Sequence, residues 1–186
     1  MTETEINEDA TLTKAVQGDA DAFSLLYERY VNRIYNYIYY RTGNANDAED
    51  LTARVFHRAL GHIQRYNNKG VPFSAWLYRI AHNLVANWHR DNSRKQEVAL
   101  EDNAIQLVHR GDPPELALVN TQETENLLRA IRTLSPERQQ LVILKFVQRL
   151  SNAEIAVIMG RSEGAIKSLY HRTLLALREE IEKTIR

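Results

Sequence analysis

The residues of this sequence whose types could do chemistry fall into three groups, of which the first is acidic. Asp47-Ala-Glu-Asp50 offers carboxylates of the kind that bind a divalent cation or move a proton. They stand at the start of an expected helix, however, where acidic groups favour the positive end of the dipole or face a protein partner. The histidines (57, 62, 82, 89, 109, 171) include no close pair flanking a carboxylate in the metalloprotease manner, so packing and solvated roles account for them. The chain has no cysteine, which excludes disulfides and thiolate metal sites and permits a reducing interior. It also has no phosphate-binding glycine loop and no Ser-His-Asp ordering. No catalytic constellation is present, and neither enzyme activity, a metal nor a cofactor is expected.

The second group runs from Arg65-Tyr66-Asn67-Asn68-Lys69-Gly70 into a helix bearing Trp76, Tyr78, Arg79, Asn83, Trp88, His89 and Arg90. Aromatic rings beside Arg, Lys and Asn suit unstacked single-stranded bases: rings stack, amides read base edges and cations hold phosphates. The spacing of Phe73, Trp76 and Trp88 equally suits a core stripe. Both readings hold together if the stripe is buried and Tyr66, Asn83 and Arg90 lie outside. The third group is Ser151 to Tyr170, two short helices hinged at Gly160. Ser151 and Glu154 have capping-box spacing, Gly160 supplies a left-handed turn, and Ser162 caps the second helix. Ile155, Met159, Ile166 and Leu169 fall where a helix-turn-helix has its shared core, with Ala156 small enough for a close crossing. Glu163, Lys167, Ser168, His171 and Arg172 are left on the outer side, where such types reach base edges and phosphates. An αα-corner with a solvated polar face is the plainer alternative.

The elements that must position these groups are helical almost throughout, and no convincing alternating strand appears. A leading helix from Asp9 to Gln17 is stopped by Gly18. Asp19 caps the next, in which Phe23, Leu26, Tyr30, Ile34 and Ile38 recur at helical spacing. Gly43-Asn44 ends it, and a third helix begins near Asn46 with Ala48, Leu51, Val55, Ala59 and Ile63 on one face. Pro72 suits the first turn of a fourth, with Phe73, Trp76, Leu77, Ile80, Leu84 and Trp88 along one stripe. These four make a self-sufficient bundle ending near Arg90. From Asp91 to Pro114 the pattern becomes polar and reads as a linker. Helices resume from Pro114, with Leu127, Leu128, Ile131 and Leu134 on one side, and Ser135-Pro136 opens another. Leu141-Val-Ile-Leu144 is apolar nearly all round and therefore central. The fold class expected is all-α: two small helical domains, a four-helix bundle over residues 1–92 and a helix-turn-helix domain over 115–186, joined by a flexible linker over 93–114.

A formal net charge of zero hides segregation. Residues 1–50 carry −6, 51–100 carry +6, 101–136 carry −3 and 137–186 carry +3. Both nucleic-acid candidates therefore lie in basic segments, while the acidic segments suit a protein surface. The acidic N-terminus is no signal peptide, and no stretch approaches the roughly 20 apolar residues of a membrane span. A cytoplasmic protein without membrane attachment is expected.

Several motifs then converge on one family. Gln17-Gly-Asp-Ala-Asp-Ala-Phe23, Asp47-Ala-Glu-Asp-Leu-Thr-Ala-Arg-Val-Phe56, Phe73-Ser-Ala-Trp-Leu-Tyr-Arg-Ile-Ala-His-Asn-Leu84, Leu134-Ser-Pro-Glu-Arg-Gln139 and the stretch 151–170 occur in one order over residues 10–180. In that order they resemble the extracytoplasmic-function (ECF) sigma factors of the sigma-70 family, bacterial RNA polymerase initiation factors. The resemblance implies a region 2 domain that binds core polymerase and opens the minus-ten promoter element, and a region 4 domain that docks on the minus-thirty-five element. It implies the polymerase clamp and flap and promoter DNA as partners, admits an anti-sigma factor, and fits a monomer when free. By position, Asp47, Asp50, Leu51, Arg54 and Phe56 match the clamp-binding segment. Tyr66, Asn67, Asn68, Lys69, Asn83 and Arg90 match the minus-ten contacts. Arg161, Ser162, Glu163, Lys167, Ser168, His171 and Arg172 match the minus-thirty-five reader. Three departures stand out: Ala53-Arg54 where Gln-Glu is frequent, Arg161 where an apolar turn residue is common, and Leu169-Tyr170-His171 in place of Arg-Leu-His. A dimeric repressor is disfavoured by the asymmetric layout and the lack of an expected sensor domain. A pure protein-interaction adaptor would lack promoter specificity.

Overall fold

The computed structural model describes residues 7–67, 71–101 and 129–185, with backbone only for 94–101 and 184–185. The described residues are helical, and none forms a strand. Helix α1 spans Glu8–Val16, α2 Ala20–Thr42, α3 Ala45–His62 and α4 Phe73–Glu101. The second half comprises α5 over 129–133, α6 Pro136–Val142, α7 Asn152–Met159 and α8 Glu163–Ile185.

The breaks between the first helices come from short side chains that cap a helix start and from glycines that end one. The Asp19 carboxylate accepts from the Ala22 amide at 3.0 Å, opening α2. At its other end Gly43 turns left-handed (φ 67°) and its N–H donates to the Tyr39 carbonyl at 2.7 Å. Asn44 immediately caps α3 by accepting from Asp47 N at 3.0 Å. Each helix then turns its apolar stripe inward: Leu26, Ile34 and Ile38 from α2 meet Leu51, Val55 and Ala59 from α3 and Leu77, Ala81 and Leu84 from α4.

Two expectations about α4 change. The helix does not end near Arg90 but runs to Glu101. Residues 91–101 are polar yet contain no glycine or proline, and Arg, Lys, Gln, Glu, Ala and Leu are good helix formers, so polarity alone does not break the helix. The buried stripe is also rotated. Tyr78 is fully buried with Phe73, Leu77 and Leu84, whereas Trp76, Ile80 and Trp88 are only half-buried. Helix α4 meets α2, α3 and α7, so its apolar face is wider than one stripe.

In the second half Leu141, Val142, Ile143 and Leu144 are all buried, as their all-round apolarity requires. Here α6 continues as a wider π turn over Ile143–Val147. Arg149 follows with a left-handed backbone (φ 54°), the one non-glycine residue of that kind among those described. Pro136 stands at the first helical position, but the Ser135 side chain makes no capping bond. The Gln139 amide does related work, donating to the Arg132 and Leu134 carbonyls at 2.9 and 2.8 Å.

The two halves pack on each other. One apolar cluster continues from the bundle through Leu141, Ile143, Leu144, Ile155, Ile158 and Ile166. Polar bonds cross the seam: Tyr78 Oη donates to Gln148 Oε1 at 2.9 Å, Gln148 Nε2 to the Arg33 carbonyl at 3.2 Å, and Arg79 Nη2 to the Val157 carbonyl at 2.8 Å.

Candidate nucleic-acid interface

The helix-turn-helix takes the expected form. Ser151 Oγ accepts from the Glu154 amide at 3.2 Å while the Glu154 carboxylate accepts from the Ser151 amide at 2.8 Å, a complete capping box. Gly160 is left-handed (φ 65°), and Ser162 Oγ accepts from the Ala165 amide at 3.2 Å to open α8. Ile155, Ile166, Leu169 and Ala156 close the seam between the helices, with Met159 half-buried beside them. Above that seam Ser162, Glu163, Lys167, Ser168, His171 and Arg172 are all exposed on the outer side of α8. Lys167 Nζ pairs with Glu163 at 2.9 Å, and Arg172 Nε donates to the Ser168 carbonyl at 3.4 Å. Both cations are held along one face and stay solvent-accessible, which suits phosphate contact. Arg161 forms an ion pair with Glu137, which anchors the turn to the start of α6.

The minus-ten candidates divide. Tyr66 is half-buried rather than fully outside: its ring packs against Phe73 and Trp76 at 5.6 and 5.1 Å between centroids. Its hydroxyl donates to the Val71 carbonyl at 2.6 Å, just ahead of α4. Burial, with the carboxylates of Glu8 and Asp9 adding to it, pushes the Tyr66 phenol up, so it remains a neutral donor. Asn67 is exposed, and Asn68 and Lys69 lie outside the described residues. Asn83 is exposed and borders a cavity of about 310 Å³ with Arg58, His62, Trp76 and Ile80. Arg58 and His62 were not singled out from sequence. Their four-residue spacing on α3 was the available signal, since it puts both on one helix face. Arg90 is exposed and pairs with Asp91 at 3.7 Å.

The clamp-binding candidates also divide. Asp50 and Arg54 are exposed and pair with each other at 3.6 Å, so the departure at position 54 is matched within its own helix. Asp47 is half-buried, its amide held by Asn44. Leu51 and Phe56 are buried; the Phe56 ring meets Tyr27 edge-on at 4.8 Å. As placed they brace α3 and offer no contact area. Among the described residues no group of three or more His, Asp or Glu side chains could hold a metal ion. No described helix is long and apolar enough to cross a membrane.

A helical bundle packed on a helix-turn-helix with an exposed polar face has the architecture of a helical DNA-binding protein. The family model for Sigma-70 region 2 matches residues 26–95 and that for Sigma-70 region 4 matches residues 124–177. The chain is 31% identical to the RNA polymerase sigma factor YlaC of Bacillus subtilis, over 88% of this chain and 94% of that one. It is 41% identical to the ECF RNA polymerase sigma factor BldN of Streptomyces coelicolor over 88% of this chain, and spans 62% of that relative's length. The fold is also that of the sigma factor RpoE of Bartonella quintana, solved with the anti-sigma factor NepR. The TM-score is 0.66 at 21% identity, over 86% of this chain and 96% of that one. The chain belongs to the sigma-70 family, among its ECF RNA polymerase sigma factors.

Proposed function

We propose that this chain acts in the cytoplasm as the promoter-specifying subunit of bacterial RNA polymerase, with residues 1–92 as region 2, 93–114 as linker and 115–186 as region 4. The observation that carries this reading is the exposed face of Ser162, Glu163, Lys167, Ser168, His171 and Arg172 above a buried helix-turn-helix seam. That face docks on the minus-thirty-five duplex, with Arg161 bracing the turn. Asp47, Asp50 and Arg54 meet the polymerase clamp while Leu51 and Phe56 hold α3 straight beneath them. Region 4 meets the flap. The loop from Tyr66 to Lys69, with Asn83 and Arg90, receives the minus-ten strand and opens it. The chain supplies promoter choice and strand opening, and the polymerase makes the phosphodiester bonds. An anti-sigma factor is a fitting further partner, as NepR is for the RpoE neighbour. Free of partners, the chain is a monomer.

Run-off transcription with purified core polymerase over a promoter library tests the whole reading. Promoter-dependent transcripts are expected only when the chain is added, and a transcript pattern identical without it would sink the proposal. Asn83→Ala is expected to leave closed-complex binding within about twofold while lowering strand opening roughly tenfold. Permanganate reactivity of the bubble checks this, and equal reactivity in mutant and wild type would remove Asn83 from the opening step.

A further inference from the structure

Among the described residues other than glycine, Arg149 alone has a left-handed backbone, at φ 54°. It stands just past the π turn, where the chain leaves the central helix of the second half. There the Gln148 amide donates to the Ile143 carbonyl at 3.0 Å and the Leu150 amide to the Leu144 carbonyl at 3.1 Å. This is a wider form of the bond pattern that ends a helix on a left-handed residue. Glycine is the residue suited to that position, because a Cβ there crowds the following carbonyl oxygen. Arginine is therefore a costly choice for the turn itself. The π turn and the strained residue lie side by side, and both kinds of irregularity cluster at functional sites.

The Arg149 side chain gains nothing inside the molecule that would offset this cost. It is exposed, and its guanidinium makes no hydrogen bond or ion pair among the described residues. Other cations of the helix-turn-helix and its surroundings are held. Lys145 Nζ donates to Asn152 Oδ1 at 3.0 Å, Arg161 pairs with Glu137, and Lys167 pairs with Glu163. The nearest carboxylate in sequence, Glu154, accepts from the Ser151 amide at 2.8 Å and from its hydroxyl at 2.7 Å. Both neighbours of Arg149 are fixed, Gln148 by Tyr78 and the Arg33 carbonyl, Leu150 by the apolar cluster. A full positive charge is thus held in solvent two residues ahead of the cap of α7, with Lys145 beside the first turn of that helix.

We infer that Arg149 is a further DNA contact of this chain, a sequence-independent hold on a duplex phosphate beside the groove that α8 enters. The inference rests on the reading of α8 as the promoter-docking helix. In a helix-turn-helix the second helix lies in the major groove while the first crosses the DNA backbone. A cation at the start of the first helix therefore meets phosphate, and phosphate contacts set position while base contacts set sequence. A guanidinium fork matches two phosphate oxygens at once. The fixed backbone on either side of Arg149 orients that fork before DNA arrives, which glycine at the same position would not do.

Full-length Arg149→Gly and Arg149→Lys are compared with wild type by thermal unfolding and by fluorescence anisotropy across a salt series. Two duplexes are used, one carrying a minus-thirty-five element selected from the promoter library and one of unrelated sequence. Glycine relieves the strain and removes the charge. Its thermal midpoint should rise by about 2–4 °C. Its affinity for both duplexes should fall about fivefold near about 0.05 M salt, and its salt slope should shrink by about one. Lysine keeps both charge and strain, and should keep the wild-type slope and midpoint. A gain in stability joined to a loss of binding is the expected signature, since a structural role would lower both. An unchanged slope in Arg149→Gly would overturn the inference, and with weakened polymerase binding it would make Arg149 a protein contact instead. A lowered midpoint in Arg149→Gly would overturn it too. If wild type prefers neither duplex yet the slope still shrinks, the phosphate contact stands and the promoter-docking reading of α8 fails. If wild type binds no duplex, both fall.

Discussion

The two halves of the molecule use their aromatic residues in opposite ways. In the first, Tyr30, Tyr37, Phe73 and Tyr78 are buried and meet in edge-on pairs, Tyr37 with Tyr78 at 5.3 Å and Tyr30 with Phe73 at 5.7 Å. In the second, the core is aliphatic, and Phe146 lies half in solvent beside Tyr170 at 6.1 Å. The bundle's large rings fill space among three long helices, so it holds its own core. The second half has short helices and a small core, and its apolar cluster is completed only where α7 and the π turn rest on α4 and α2. A polar reading face can be displayed on the second half because its interior is supported from behind. In the first half, by contrast, the candidate base-contacting aromatics are tied into the packing, and Tyr66 both packs against the cluster and donates to the Val71 carbonyl.

The sharpest break in this contrast comes from the bundle core. Ile34→Ala empties a position with no solvent exposure and is expected to lower the unfolding free energy by about 3 kcal/mol. Chemical denaturation measures it, and a loss under about 1 kcal/mol would mean that the bundle collapses readily around the gap. A change on the displayed face should instead spare the fold. Lys167→Ala is expected to weaken minus-thirty-five binding by about 1 kcal/mol and to reduce the salt slope by about one, with unfolding unchanged. Fluorescence anisotropy across a salt series checks it; an unaltered slope would remove Lys167 from phosphate contact. The seam between halves is probed by Tyr78→Phe, which deletes the hydroxyl facing Gln148 and should cost about 1 kcal/mol. Amide exchange should rise in α7 and the π turn while α2 and α3 stay protected, and a uniform rise would contradict independent support of the bundle.

The smallest expected effect is a pH dependence. His82 and His89 are held below their ordinary value by burial and by Arg41, so the folded state binds fewer protons than the unfolded one as pH falls through about 6.5. Their contribution to stability is therefore fully present above the unfolded value and is lost as pH drops toward the depressed folded values. The thermal midpoint should be lower at pH 5.5 than at pH 7.5, and His82→Gln should flatten that difference. A midpoint that rises on acidification would reverse the assignment.

Local chemistry was readable from residue types. The capping box at Ser151 and Glu154, the left-handed Gly160, the Asp19 cap and the Gly43 break are each set by a few adjacent residues, and all stand where their types require. The outward set on α8 was readable for a similar reason, since α8 packs on α6 and α7 through residues such as Ile166 and Leu169 and leaves its polar side free. The division among Trp76, Tyr78 and Trp88 was not readable. Helix α4 has partners on several sides, and periodicity cannot say which side is packed more tightly. Nor could spacing show that Leu51 and Phe56 turn inward while Asp50 and Arg54 remain in solvent, because that depends on where Tyr27 and the neighbouring helices stand.

What the sequence by itself determined is most of the helices, the caps at Asp19, Ser151 and Ser162, and the polar outer face of α8. These follow from interactions among residues fewer than about five apart, whose geometry the helix imposes. What only the tertiary structure decided is how the halves meet: Tyr78 against Gln148, Arg79 against Val157, and the cleft lined by Arg41, His89 and Arg132. Those residues lie tens of positions apart. Only the burial of a shared apolar cluster, a non-directional force acting on the whole chain, brings them together.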